Sequence, residues 1–405
     1  MIRTEVPGDQ SVSAPRAVVH EGLQRSVKER SRPCCRPRRC DCSGSGEHTP
    51  RRAACWRLRA PPDRGVSPWP QGGPMLSRRT QEAPERANRL APMQLGLIGL
   101  GKMGGNMARR LRREGDIDVI AYDRDAAAVS ALAEEGVRGA GSLEELVAGL
   151  DAPRYVWIMV PAGAPTTDTV NALAELLSPG DVIIDGGNSR WTDDEIRKAA
   201  LAEKKIGYMD VGTSGGVWGL QYGYCMMVGG DDADVEGLTP VLNALAPVVV
   251  DEEDKAKIGD YGWEHVGPTG SGHFVKMVHN GIEYGLMQAY AEGYALLAAN
   301  NKDLDLERVA RLWQQGSVVR SWLNELAGRA FAAEGSQVEG LEPFVSDSGE
   351  GRWTIEASID LGIPTPVMTL ALQERFVSRG NADHTNRLLS ALRNQFGGHE
   401  APRKG

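Results

Sequence analysis

Five residues in the stretch HFVKMVHNGIEYG (273–285) have the types and spacing for proton chemistry on a bound molecule. Counted from Lys276, the residues His279, Asn280, Glu283 and Tyr284 fall at i+3, i+4, i+7 and i+8, on one face of a helix. A lysine partly withdrawn from water loses basicity and can take a hydroxyl proton while hydride leaves the same carbon. Glu283, about two turns along, is the complementary acid. The neighbouring Phe274, Val275, Met277, Val278, Ile282 and Leu286 read as core, which argues against a merely solvated Lys and Glu pair. Gly281 and Gly285 cost roughly 1 kcal/mol each relative to Ala but let a second surface or a ligand come close.

Two loops offer further hydrogen-bonding groups. DGGNS (185–189) and GTSGG (212–216) each follow a strand-like apolar run. Asn188 can donate and accept at once, and Ser214 with the amides of Gly215 and Gly216 makes a donor nest suited to a carboxylate or hydroxyl. The remaining chemistry belongs to LIGLGKMGGNMARRLRREG (97–115), a GxGxxG turn between strand and helix. There Gly99 permits the tight turn, Gly101 lets backbone approach a pyrophosphate, and Gly104 brings helix and strand together. With Leu100, Lys102 and Met103, these glycines are the predicted cofactor contacts. Asp123 ends the next strand, 22 residues after Gly101, where a carboxylate binds a ribose 2′-hydroxyl and repels a 2′-phosphate. Arg124 pulls the other way, since a guanidinium can fork a phosphate. The expectation is NAD preferred, with some NADP use.

These groups need elements to hold them. Strands are expected at 95–100, 118–123, 155–160, 181–186, 206–212, 224–230 and 246–251. Helices alternate with them near 103–115, 125–135, 142–149, 166–176, 191–204 and 231–244. Such alternation predicts an α/β fold, a Rossmann-type doubly wound sheet with ligands outside the carboxyl ends of its strands. Beyond Gly270 the pattern is helical, at 270–299, 305–315, 319–333, 352–361, 366–378 and 384–395. The Gly- and Pro-rich WEHVGPTGSG (263–272) marks the boundary between a dinucleotide-binding domain over 93–268 and an all-helical domain over 269–405, whose first helix carries the polar stripe and makes it the substrate side.

The first 92 residues differ in kind. They hold 18 Lys plus Arg against 9 Asp plus Glu, 12 of the 23 prolines and five of the six cysteines, whereas 93–405 hold 28 basic against 45 acidic residues. Low periodicity and high charge read as a disordered Arg/Pro-rich extension without an apolar signal core, and the natural start is expected at Met93. The cysteines from Cys34 to Cys42 lack paired CxxC spacing, which argues against a zinc site. Acidity over 93–405 argues against nucleic-acid binding, and no stretch is apolar enough to span a membrane. Cys225 is the one cysteine after residue 92, which fits a reducing cytoplasm.

The set GLGKMGGN, DGGNS, GTSGG, KMVHNGIEYG, SGEGRWT and RNQFGGH resembles the decarboxylating 6-phosphogluconate dehydrogenase family over essentially all of 93–405, in its short bacterial form. The resemblance implies oxidation of 6-phosphogluconate at C3 and loss of C1 as carbon dioxide, giving ribulose 5-phosphate and reduced NAD(P) in the pentose phosphate pathway, without a metal. It matches Lys276 to the base and Glu283 to the acid that protonates the former C2-side carbon. Asn188, Ser214, Gly215, Gly216, His279, Asn280 and Tyr284 match substrate contacts, while Val160, Pro161 and Ala162 match a loop beside the cofactor, which Asn188 also meets. Arg375 matches a phosphate-binding arginine, and Arg393 and His399 a pair reaching into a neighbouring subunit, so a homodimer or homotetramer with shared sites is implied. Ser348, Glu350 and Arg352 depart from the longer members' Lys-Gly-Thr-Gly-Lys-Trp, with Arg320 a candidate substitute cation. Two alternatives remain: a 3-hydroxyisobutyrate-type dehydrogenase of smaller unphosphorylated hydroxy acids, which shares the Lys276 and Asn280 spacing, and a non-catalytic nucleotide sensor, which would not need the intact Lys276 and Glu283.

Overall fold

The computed structural model describes residues 93–397, apart from 116 and 301, together with 402. The extension over 1–92, with its five cysteines, and His399 lie outside the described residues.

The alternating pattern becomes strands and helices in the expected order. The first half comprises β1 (Met93–Ile98), α1 (Lys102–Glu114), β2 (Ile117–Tyr122), α2 (Ala126–Glu134), β3 (Arg138–Gly139), α3 (Leu143–Ala148), β4 (Tyr155–Ile158), α4 (Ala164–Leu176), β5 (Val182–Asp185) and α5 (Trp191–Ala202). Then follow β6 (Gly207–Ser214), α6 (Gly219–Tyr222), β7 (Cys225–Gly229), α7 (Asp232–Leu245), α8 (Glu252–Ile258) and β8 (Trp263–Gly267). The rest is helical: α9 (Ser271–Ala299), α10 (Leu306–Trp313), α11 (Trp322–Glu334), α12 (Glu350–Asp360), α13 (Pro366–Val377) and α14 (Asp383–Gly397).

The strands form one sheet in the order β3-β2-β1-β4-β5-β6-β7-β8, parallel as far as β6, with β7 antiparallel to β6 and β8 parallel to β7. Successive side chains of a strand point to opposite faces, so each strand feeds two cores. Leu95, Leu97, Trp157, Ile184 and Met209 pack with Met107 and Leu111 of α1 and Leu238 and Leu242 of α7. Ile98, Ile120, Val156, Ile158 and Ile183 pack on the other face with Leu146, Val170, Leu173 and Leu201 of α3 to α5. Burial on both faces is why these strands are apolar runs without alternation.

Three expectations fail locally. Residues 246–251 form no strand: Val248 makes an isolated bridge to Tyr261, and Val248 and Val250 are exposed. The eighth strand lies instead in the stretch read as a linker, because β7 offers its free edge to Trp263–Gly267, and Trp263 Nε1 donates to Asn243 Oδ1 at 2.8 Å. A run of valines without a ladder partner has nothing to bury its branches against. On α9, Val275, Ile282 and Leu286 are exposed rather than core, while the polar stripe carrying Lys276, Asn280 and Tyr284 faces inward. Its neighbours are sheet residues, and a Cβ at Gly212 of β6 would overlap the Lys276 side chain, so that strand can meet the helix there only as glycine. Among the described residues, no helix is long and apolar enough to cross a membrane.

Candidate active site

The carboxyl ends of β1, β2, β4, β5 and β6 open on one cleft of about 1540 Å³, closed on its far side by α9, the start of α11 and Ser348. The switch in strand order between β1 and β4 creates it: chains leaving those two strands cross to opposite faces of the sheet.

One wall is the glycine turn. Gly99 adopts φ +92°, and a Cβ at Gly104 would collide with the Gly99 carbonyl oxygen, so both glycines are required by the turn itself. Gly101 differs, because a Cβ there would meet nothing within 4 Å. That open space lies at the start of α1, where no side chain caps the helix, leaving its first amides for an anion. The arrangement fits a dinucleotide pyrophosphate. Asp123 closes the turn: its Oδ2 accepts from the Leu100 amide at 2.6 Å and its Oδ1 from the Asp125 amide at 2.8 Å. Arg124 is exposed beside it, and Lys102, Met103, Val160, Pro161, Ala162 and Asn188 line the same cleft. Leu100 does not: its side chain is buried in the core, so its part is the amide held by Asp123.

The opposite wall carries the polar helix face. Lys276 Nζ donates to Asn280 Oδ1 at 2.6 Å, and His279 Nδ1 donates to the same oxygen at 2.9 Å. That assignment leaves His279 Nε2 to accept from Ser214 Oγ at 3.3 Å, which joins α9 to the GTSGG loop. Burial holds the Lys276 ammonium below its ordinary range, and Glu350, Glu283 and the Cys225 thiol partly oppose the shift. Glu283 is half-buried and lines the cleft with Gly215 and Gly216. Tyr284 is buried behind this wall; its hydroxyl accepts from the Ser348 amide at 3.4 Å, and the Arg375 guanidinium lies 3.5 Å above its ring centre. Neither Tyr284 nor Arg375 lines the cleft, and exposed Arg320 and Arg393 stand outside it.

Beneath the cleft lies a polar network the sequence reading did not find. Asp185 accepts from Ser189 Oγ at 2.6 Å and from the Gly187 amide at 3.0 Å, fixing the DGGNS loop. Arg197 Nη1 sits 3.2 Å from Asp185 and 3.5 Å from Asp194. His273 Nδ1 meets Asp194 at 2.7 Å, and Asp210 accepts from the Gly270 and His273 amides at 2.6 and 2.7 Å, pinning the start of α9. Burial alone would lower the His273 pKa; Asp194, with Asp185 and Asp210, outweighs it and raises the value to about 10. Asp185, Asp194 and His273 converge as metal ligands would, but the Arg197 guanidinium already supplies the positive charge between the two aspartates. The one sequence signal for this network was an Asp within or ending each of two buried strands. Glu350 is the other residue whose place was missed: it is buried and accepts a short hydrogen bond from Asn280 Nδ2.

Comparison with known proteins follows the same division of the chain. Residues 94–252 match the NAD binding domain of 6-phosphogluconate dehydrogenase, and residues 272–401 match the 6-phosphogluconate dehydrogenase C-terminal domain. The sequence is 43% identical over 312 residues to an NAD(+)-dependent, decarboxylating 6-phosphogluconate dehydrogenase of Haloferax volcanii, spanning 77% of this chain and 99% of that one. The chain belongs to the 6-phosphogluconate dehydrogenase family. A decarboxylating family member from Synechococcus elongatus is 37% identical over 308 residues, 73% of this chain and 63% of that longer one. The Plasmodium falciparum 6-phosphogluconate dehydrogenase, solved apo, with NADP+ and with 6-phosphogluconate, superposes with a TM-score of 0.65 at 28% identity over 77% of this chain and 66% of that one. The chain thus matches the full length of a short relative and under two thirds of the longer ones.

Proposed function

We propose that this protein oxidises 6-phosphogluconate at C3 and decarboxylates it to ribulose 5-phosphate and carbon dioxide in the pentose phosphate pathway, reducing NAD in preference to NADP. The observation that carries the reading is the partly desolvated Lys276, held by Asn280 on the wall facing the glycine turn of one continuous cleft. Gly99, Gly101, Lys102, Met103, Gly104, Asp123, Arg124, Val160, Pro161, Ala162 and Asn188 are the residues that would hold the dinucleotide. When bound, its nicotinamide supplies the acceptor for the hydride leaving C3.

Neutral Lys276 takes the C3 hydroxyl proton. The resulting ammonium then polarises the 3-keto oxygen, which makes loss of the β-carboxylate easy because the electrons left behind come to rest on that oxygen. Glu283 delivers a proton to the former C2 carbon of the enediol. Asn188, Ser214, the amides of Gly215 and Gly216, His279 and Asn280 orient the carboxylate and hydroxyls.

We read the chain as two domains, 93–268 and 269–405, acting as a homodimer or homotetramer in the cytoplasm. Support for assembly comes from α14, where Leu388, Leu389 and Leu392 are exposed beside Arg393, an apolar face that a second copy would cover. The deciding experiment is reduced-cofactor and carbon dioxide formation from 6-phosphogluconate with NAD and, separately, NADP. Absence of turnover by folded, NAD-binding protein would refute the reading.

A further inference from the structure

Asn280 is an amide with an oxygen on one side and two donors on the other, and its environment allows one of the two orientations. On one side Lys276 Nζ is donor-only as an ammonium and takes Oδ1 at 2.6 Å, and His279, in the tautomer that carries its proton on Nδ1, shares the same oxygen at 2.9 Å. On the other side stands the Glu350 carboxylate, which as an anion can only accept, and takes the bond from Nδ2. A flipped amide would turn oxygen toward carboxylate and N–H toward ammonium. Glu350 is the first residue of α12, is 3% exposed, and does not line the cleft. Its place is set by packing: a Cβ at Gly351 would run into the Tyr284 ring, and Thr354 Oγ1 donates to the Met277 carbonyl at 2.9 Å, so the first turn of α12 lies directly on α9. Ser348 Oγ gives the carboxylate a second donor at 3.2 Å.

We propose that Glu350 is a positioning residue for the reaction: its buried carboxylate fixes the Asn280 amide, and the fixed amide aims Lys276 at the substrate. The reason lies in the neutral form of the base. With Asn280 held oxygen-first, neutral Lys276 donates one N–H to Oδ1 and keeps its lone pair for the cleft. With the amide reversed, Nδ2 would donate into that lone pair and remove the base. The titratable groups facing the ammonium are Glu350 from α12, Glu283 from α9 and Cys225 from β7. Of the two carboxylates, Glu350 is the one that also holds Asn280.

This inference rests on the reaction proposed above, so its test has one arm that needs no substrate. Wild type, Glu350→Gln, Glu350→Asp and Glu350→Ala are compared as full-length chains. First, the rate at which a small acylating reagent is attacked by the neutral Lys276 amine, with loss of its leaving group and the labelled site located by peptide mass spectrometry, is followed against pH. Second, kcat/KM for 6-phosphogluconate is followed over the same range, with the NAD Kd and melting temperature as controls. Losing the negative charge disfavours the ammonium, so in Glu350→Gln both the labelling titration and the acid limb of kcat/KM move down by about one pH unit, with the NAD Kd unchanged. Glu350→Asp keeps the charge and shortens the reach, so its titration stays near wild type while kcat falls. Glu350→Ala frees the amide and lowers kcat by about tenfold or more, with little change in KM. A purely structural role would lower melting temperatures across the series while the Lys276 titration stayed put, and that result overturns the proposal. Failure of wild type to turn over 6-phosphogluconate would count against the reaction alone, since the labelling arm still reads the Glu350 and Lys276 coupling.

Discussion

Two glycines three residues apart should fail in opposite ways when each is replaced by alanine. At Gly104 the added Cβ meets the Gly99 carbonyl oxygen and lies 3.3 Å from Met159 Cβ, and backbone in a tight turn cannot retreat as a flexible side chain would. Overpacking of this kind costs about 3 kcal/mol, which for a chain this long lowers the melting temperature by roughly 6 °C. At Gly101 the backbone sits at φ −59°, a conformation alanine accepts, and no atom lies within 4 Å of the new methyl. Its cost to stability is the small difference between Gly and Ala as a helix N-cap, about 0.5 kcal/mol or roughly 1 °C. The methyl does occupy the approach to the first amides of α1. Forcing a phosphate off two such donors forfeits about 3 kcal/mol, roughly a hundredfold in NAD Kd. Thermal melting without ligand and NAD titration by tryptophan quenching measure the two effects. The reasoning is refuted if Gly101→Ala binds NAD as wild type does, or if Gly104→Ala melts within 1 °C of wild type.

Other perturbations address the chemistry and the network beneath it. Lys276→Met removes the base and should lower kcat by about a thousandfold while leaving the NAD Kd within twofold, as steady-state kinetics and the same titration will show. Because His273 is raised above its unfolded value, its stabilising contribution is complete below about pH 6.5 and is lost as pH rises through about 10. His273→Gln should therefore cost about 3 kcal/mol at neutral pH, and its melting-temperature gap to wild type should close between pH 7 and pH 10; a gap independent of pH would refute the assignment. Asp123→Ser removes the ribose acceptor and two backbone anchors, so kcat/KM with NAD should fall at least about tenfold while the NADP-to-NAD efficiency ratio rises.

What could be read from the sequence was whatever depends on near neighbours in the chain. The apolar runs of β1, β4 and β5 announced themselves because burial on both faces leaves no polar alternation. GxGxxG followed by Asp123 was readable because the turn, the helix start and the next strand lie within 25 residues. The stripe from Lys276 to Tyr284 was readable because helical period alone puts those side chains together. The fold decided the rest, through contacts between segments far apart in sequence. Whether 246–251 or 263–267 became a strand depended on which could reach the free edge of β7, a matter of pairing rather than of propensity. Val275, Ile282 and Leu286 look like core in sequence, yet the sheet took the polar face of α9, because glycine at 212 brings β6 against Lys276. Glu350 is 70 residues from Asn280 and read only as a departure from a family motif. Its role came from tertiary packing, since a carboxylate acquires a fixed partner only where two helices enclose it, and no local spacing records where helices meet.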